Sequence, residues 1–357
     1  MKRTERKIMI CTIFLILTLL SGCRHQEVDN ANIRSIKEFK PIDIETLTKQ
    51  ELECLYVEED ICIFSVGNID KKYRNQIYVD YLIKKNTDDG LETPIVSFSK
   101  PKFITDAVLY KQGIIYVSLI EVDEIFEWEI VYNNGQENVK LLSGFTVALE
   151  RAPCLMKTSE KIFILCENNN GKEPIVTQLL YLNDRVGVEK IAIPDLEKTI
   201  LSTISFKESE GCFVLYLPGE QGKFVIGNEF GVTTEVPFEI EPIDYEFIQG
   251  NIFAEYEESG IYRYSIINEK GELIDEELEN AIYDICVSSN EDFVLGTNYE
   301  SKLILLEPST GIVSTIAKIG NIKDYRVSAI KKNKQNYFLA LVSNKKTYFG
   351  YIHYQCD

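Results

Sequence analysis

The chain has 357 residues, with 56 Asp+Glu against 38 Lys+Arg and a formal charge of −18. That balance argues against nucleic acid as a partner, because phosphate binding needs clustered Lys and Arg. With two histidines (His25 and His353), no C-x-x-C, no D-x-D-x-D-G calcium loop, no G-x-S-x-G and no glycine-rich phosphate loop, no metal or other cofactor is expected.

Residues 1–7 (MKRTERK) are basic and residues 8–20 (IMICTIFLILTLL) are apolar apart from two threonines, the order of a secretory signal. Thirteen residues of helix cover roughly 20 Å, short of the bilayer core of about 30 Å, so the segment is read as cleaved rather than spanning. The run Leu20-Ser21-Gly22-Cys23 that closes it resembles the bacterial lipobox. That resemblance implies cleavage between Gly22 and Cys23 and acylation of the Cys23 sulfur. The mature protein would then be a lipoprotein on the extracytoplasmic face of a cell membrane, and two or three acyl chains hold firmly where one does not. Cleavage removes four basic side chains and one acid, leaving 34 Lys+Arg against 55 Asp+Glu, a formal charge of −21. Residues 23–35 then form the lipidated N-terminus and a polar tether reaching at most about 40 Å.

From residue 36 to 357 the pattern is that of strands. The segment IKEFKPI (36–42) reads as a strand able to complete a unit elsewhere, and DIETLTKQELECL (43–55) has helical spacing at Ile44, Leu47 and Leu55. Seven hydrophobic strands then recur: DICIFSV (60–66), GIIYVSL (113–119), KIFILCE (161–167), GCFVLYL (211–217), NIFAEYE (251–257), DFVLGTN (292–298) and NYFLALV (336–342). Aligning Cys62, Ile115, Phe163, Phe213, Phe253, Phe293 and Phe338 gives intervals of 53, 48, 50, 40, 40 and 45 residues, the period of a four-stranded blade. Alternating strands flank each one, and six of the seven following strands end in a polar turn with glycine, at Gly90, Gly135, Gly187, Gly231, Gly271 and Gly311. The last unit stops after TYFGYIHY (347–354), so 36–42 is expected to supply its fourth strand and close the ring.

This organisation resembles β-propellers of the WD40 and quinoprotein kinds, with KLILLEPSTGIV (302–313) the nearest local match, although it lacks the Trp-Asp dipeptide, the kelch Gly-Gly and the Asp-box. The expectation is an all-β, seven-bladed propeller of four-stranded antiparallel blades; two β-sandwich domains are the alternative. With the leader and its Cys11 removed, seven cysteines besides Cys23 remain and sit mostly in apolar strands as small hydrophobes, with Cys54/Cys62 and Cys154/Cys166 as pairs that could face each other across hairpins.

Chemistry is sparsely signalled, and no catalytic residue is assigned. Asp106, Asp244 and Asp284 fall where channel-mouth acids of a propeller lie, and turn acids explain them equally well. Trp128, between Glu127 and Glu129, reads as core filling rather than a sugar platform. The expected function is a non-catalytic binding or scaffolding module, its partners the membrane through the lipid and an envelope protein or small ligand. The alternatives are an anchored carbohydrate-active enzyme using paired carboxylates at the channel mouth, and a purely structural envelope subunit.

Overall fold

The computed structural model describes residues 33–357 apart from 45–49, 71, 74–75, 159–160, 169–174, 184, 202–204, 210–211, 220–221, 289–290, 334–335, 345 and 355–357. The lipobox and Cys356 lie outside the described residues. The compact unit begins at Arg34.

Every described element of any length is a strand. In chain order β1 (Ile33–Ile36) and β2 (Lys40–Ile42) are followed by a seven-stranded meander: β3 (Glu51–Glu58), β4 (Ile61–Ile69), β5 (Ile77–Asn86), β6 (Glu92–Tyr110), β7 (Gly113–Val122), β8 (Ile125–Asn133) and β9 (Asn138–Thr146). Three four-stranded antiparallel sheets come next. They are β10 (Cys154–Lys157) to β13 (Val188–Ile191) through β11 (Ile162–Asn168) and β12 (Val176–Leu182); β14 (Ser205–Ser209) to β17 (Gly231–Pro237) through β15 (Cys212–Leu217) and β16 (Lys223–Asn228); and β18 (Pro242–Ile248) to β21 (Gly271–Leu278) through β19 (Asn251–Glu258) and β20 (Ile261–Asn268). A six-stranded sheet joins β22 (Tyr283–Val287), β23 (Val294–Thr297), β24 (Leu303–Glu307), β25 (Ile312–Ile319) and β26 (Ile322–Lys323) to β1. The last sheet is β27 (Arg326–Asn333), β28 (Asn336–Ser343) and β29 (Lys346–His353) with β2 on its edge.

The arrangement is a β-propeller, not a pair of sandwiches, but the expected seven separate four-stranded blades are not what forms. The strands hydrogen-bond into six sheets, four of them four-stranded, one six-stranded and one seven-stranded. The sequence pattern places a break between TPIVSFS (93–99) and ITDAVLY (104–110). Instead β6 runs unbroken for 19 residues. No glycine lies between Ser97 and Phe103, and Pro101 holds itself and Lys100 extended, so nothing there turns the chain. Phe98–Pro101 leave the ladder with β5, which resumes at Lys102 opposite Val79, so the missing proline N–H costs no bond.

The core lies between neighbouring sheets. All seven aligned residues, from Cys62 to Phe338, are at most 3% exposed. Phe163 of β11 packs edge-to-face on Phe213 of β15 at 5.4 Å, and with Leu165 and Leu215 they seal one sheet against the next. The helical spacing over 43–55 does not produce a helix at its C-terminal end: from Glu51 onward the chain is β3, because Leu52 and Cys54 pair with Val66 and Phe64 in period-two register.

Closure involves more of the N-terminus than 36–42. Lys40, Pro41 and Ile42 pair with Tyr351, Gly350 and Phe349 of β29, the strand addition the sequence suggests. In addition β1 lies along β25, so the segment binds two adjacent sheets. The Gly320 amide donates to the Ile36 carbonyl at 2.8 Å. Arg34 donates to the Tyr354 hydroxyl at 3.0 Å and to Glu307 Oε1 at 2.5 Å. Gly320 sits at φ +56°, with Phe39 Cβ 3.0 Å from where its own Cβ would be, so only glycine suits the passage.

Candidate functional site

Seven strands neighbour one another in the order β3, β6, β10, β14, β18, β22, β27 and back to β3. Five of them carry an irregularity at the same depth: between Cys54 and Tyr56, Ile104 and Asp106, Pro242 and Asp244, Tyr283 and Cys286, and Val327 and Ala329. A bulge adds a residue and re-aims the side chain that follows it. In two units that side chain is an aspartate.

Asp106 and Asp244 use this geometry identically. Asp106 Oδ1 accepts from its neighbour Ala107 N–H at 2.8 Å, and Oδ2 accepts from Leu155 N–H of β10 at 2.7 Å. Asp244 accepts from Tyr245 N–H at 2.8 Å and from Ile285 N–H of β22 at 2.7 Å. Each carboxylate thus latches its own strand to the next one around the axis. Asp284 is different: exposed, at φ +55°, it accepts from Thr297 Oγ1 at 3.0 Å. The three acids offered by the sequence do not form a reactive pair. Their spacing held the clue, since Leu155 and Ile285 follow Asp106 and Asp244 by 49 and 41 residues, about one repeat.

Further titratable groups stand on these strands, Glu53 and Glu246 among them unmarked by the sequence. Glu53 and Cys154 keep exposed surface and Asp106 is half-buried, yet the protein packed around their charged atoms disfavours the ionised form and raises all three: Glu53 in direction, Asp106 to about 6, Cys154 to about 12. Lys331, whose ammonium donates to the Leu55 carbonyl at 2.6 Å, opposes the shift at Glu53 and Asp106. Glu246 accepts from Val287 N–H, with the Lys332 ammonium 3.9 Å from its other oxygen.

Glu255 is the most perturbed acid among the described residues. It lies opposite Asp244 in the β18–β19 register, has no exposed surface, and burial raises it to about 8. An unfolded glutamate titrates near 4.5, so between these values the folded protein holds a proton the unfolded chain has lost. Folding is therefore penalised progressively as pH rises from about 4.5 to about 8, at up to about 1.4 kcal/mol per unit. Glu255→Gln is expected to flatten this slope, equalling the wild type at pH 5 and exceeding it by about 1–3 kcal/mol at pH 8.5 in urea unfolding. Equal pH slopes for the two proteins would refute the assignment.

Trp128 is 3% exposed and its Nε1 donates to the Glu167 carbonyl at 3.2 Å. Glu167 is itself fully buried, 2.6 Å from Arg151 and accepting from Leu201 N–H at 2.9 Å. The tryptophan is a core anchor.

Two clefts open at opposite ends of the inner strands. One, ≈510 Å³, is lined by Glu53, Gln76, Thr105, Phe126 and Glu150 at the end where β9 leads into β10. The other, ≈650 Å³, lies at the β3–β4 and β27–β28 turns, lined by Glu59, Asp60, Asp88, Asn333, Tyr351 and His353. Among the described residues no group of His, Cys, Asp and Glu is placed to hold a metal ion, and no helix is long and apolar enough to cross a membrane.

No family model and no curated protein matches the sequence. Solved structures do match in shape. YCF48 bound to D1 peptide aligns with a TM-score of 0.52 at 8% identity, over 88% of this chain and 99% of that one. The uncharacterized protein lmo1340 from Listeria monocytogenes EGD-e aligns at 0.52 and 12% identity, over 88% and 97%. A chain of the Mitotic Checkpoint Complex aligns at 0.52 and 8%, over 93% and 96%. At such identities the likeness is one of fold, and the fold is a β-propeller.

Proposed function

We propose that the protein is a lipoprotein held on the extracytoplasmic face of a membrane through Cys23, with a propeller that binds a protein or small ligand and performs no chemistry. The non-catalytic part rests on one observation: Asp106 and Asp244 commit both carboxylate oxygens to backbone amides. Glycoside cleavage needs two carboxyl groups free to reach one bond. Asp244 does have an acid beside it, but Glu255 has no exposed surface for a sugar to reach. A peptide is a fitting ligand class, since a propeller of like shape has been solved with one bound.

The anchor is tested by feeding an alkyne-tagged fatty acid to cells making the full-length chain. Label and membrane fractionation are expected for the wild type, and loss of both for Cys23→Ala; label persisting in the variant overturns the assignment. Photo-crosslinking from the cleft lined by Glu53 and Gln76 then identifies the ligand, and saturable capture of a peptide segment is the expected result.

A further inference from the structure

The outer strands of the sheets are blunted against pairing in different ways. Among the described residues β21 carries Glu272, Asp275, Glu276 and Glu277, and β13 has only four residues, two of them charged. β9 carries Lys140, and its Phe145 N–H donates to Asn168 Oδ1 at 3.2 Å. β25 is covered by β1 and β26, and β29 by β2. β17 (GVTTEVP) ends its sheet without such a cover. Its single charge, Glu235, is met by Lys223 of β16 at 2.9 Å. Its bulge lies at the head of the strand and leaves Thr234 to Pro237 in regular register, and Pro237 closes only the last position. Unpaired backbone of this kind is a template for another strand.

A groove runs along the same strand. A cleft of ≈500 Å³ lined by Thr233, Thr234 and Val236 abuts one of ≈430 Å³ lined by Val236, Pro237 and Phe238, and both share Asn268, Glu269 and Lys270 of the β20–β21 turn as a second wall. Together they follow the chain from Thr233 to Glu239, room for an extended segment of roughly six or seven residues. The Phe238 N–H turns inward to the Gly222 carbonyl at 2.8 Å, so by antiparallel alternation the Glu235 N–H and carbonyl face away from β16. The lining is apolar at both ends, with Phe247 and Ile252 in one cleft and Ile267 in the other. Its charges are unbalanced, since Glu239, Glu269 and Glu272 stand against Lys270 alone. At the turn that opens β17, Phe230 is 91% exposed.

We propose that an extended segment of a partner protein adds to β17 as a fifth strand of its sheet. Its apolar side chains, at alternate positions, face Val236 and Ile267, and Lys or Arg between them meets Glu239, Glu269 and Glu272. Backbone hydrogen bonds supply the affinity, and the groove selects the side chains. The inference rests on the reading of the propeller as a binding module, and it adds a surface that shares no residue with the Glu53 and Gln76 cleft.

The test selects binders to the purified full-length protein in detergent from a displayed library of peptides of about ten residues, with Val, Ile or Leu at alternate positions and random residues between. Enrichment of Lys and Arg at the random positions is expected. With a selected peptide bound, hydrogen exchange should slow about tenfold at the amides of 231–239 and stay unchanged at the Glu53 and Gln76 cleft. Methylating the peptide's backbone nitrogens along one edge should weaken binding about tenfold, and along the other edge hardly at all. Glu235→Pro removes the outward N–H without touching the ladder to β16, and should weaken binding as much while the protein melts like the wild type. Protection at the Glu53 and Gln76 cleft in place of 231–239 overturns the proposal and leaves the binding module standing. The absence of any enriched peptide, or binding indifferent to methylation on both edges, overturns it as well.

Discussion

Ile36→Ala combined with Ile42→Ala is expected to lower the unfolding free energy by about 4–8 kcal/mol and the melting temperature by about 5–15 °C. Ile36 is 4% exposed and packs with Leu303, Leu305 and Ile316, while Ile42 is 8% exposed and packs with Phe349 and Tyr351. The two sit in separate core clusters, so their costs add rather than share one cavity. A second effect accompanies the first. Loosening β2 bares the backbone of β29, and an open edge of that length pairs with whatever edge it meets. Light scattering should therefore rise for the double variant well below its melting point. Ile312→Ala, an exposed side chain on β25, serves as the control and should shift by less than about 0.5 kcal/mol. A double variant that melts and scatters like this control would mean that the N-terminal segment does not hold the ring.

The second large effect concerns the aspartate latches. Asp244→Ala strands two backbone N–H groups, of Tyr245 and Ile285, and Asp106→Ala strands those of Ala107 and Leu155. Each orphaned buried donor costs about 1–3 kcal/mol, partly offset by no longer burying the carboxylate, so each variant should lose about 2–4 kcal/mol. Asparagine is expected to recover about half of that. Its oxygen accepts one bond, but its amide turns a donor toward the other. Asp284→Ala, which gives up a single bond from Thr297 at an exposed site, should cost under about 1 kcal/mol. Chemical denaturation of the three alanine variants decides the matter: an equal loss at all three positions would remove the distinction between latch and turn acid.

The strands were legible because period-two alternation and the recurring hydrophobic run survive in every unit. Where two units meet was less legible. At two other junctions the chain is broken by a 3₁₀ turn, Leu149–Arg151 and Leu196–Lys198, but residues 99–103 (SKPKF) hold no glycine, and the proline there, which suggests a break, keeps the chain extended. From Glu51 onward the helical spacing over 43–55 gives way to strand for a related reason, since apolar residues fit either period until a partner strand chooses, while residues 45–49 lie outside the described residues. The candidate acids lie at the depth their positions suggest, but their role is of another kind. An acid recurring at the same point of a repeat more often serves the repeat than a substrate, and the bulge that aims Asp106 and Asp244 at the next strand leaves no mark in composition. Glu255 gives no signal at all, because its burial depends on the packing of β19 rather than on its neighbours in sequence.

The N-terminal clasp also dictates the order of events during folding. Arg34 meets Tyr354 across 320 residues, so the first strands to be synthesised must wait for the last. The entropic cost of that wait grows only with the logarithm of the intervening length, which makes the closed ring cheap to keep. Its formation is another matter, because contacts this distant in sequence form late. Until β25 appears β1 has no partner, and until β29 appears β2 has none, so the nascent ring is most vulnerable in its final moments rather than its first.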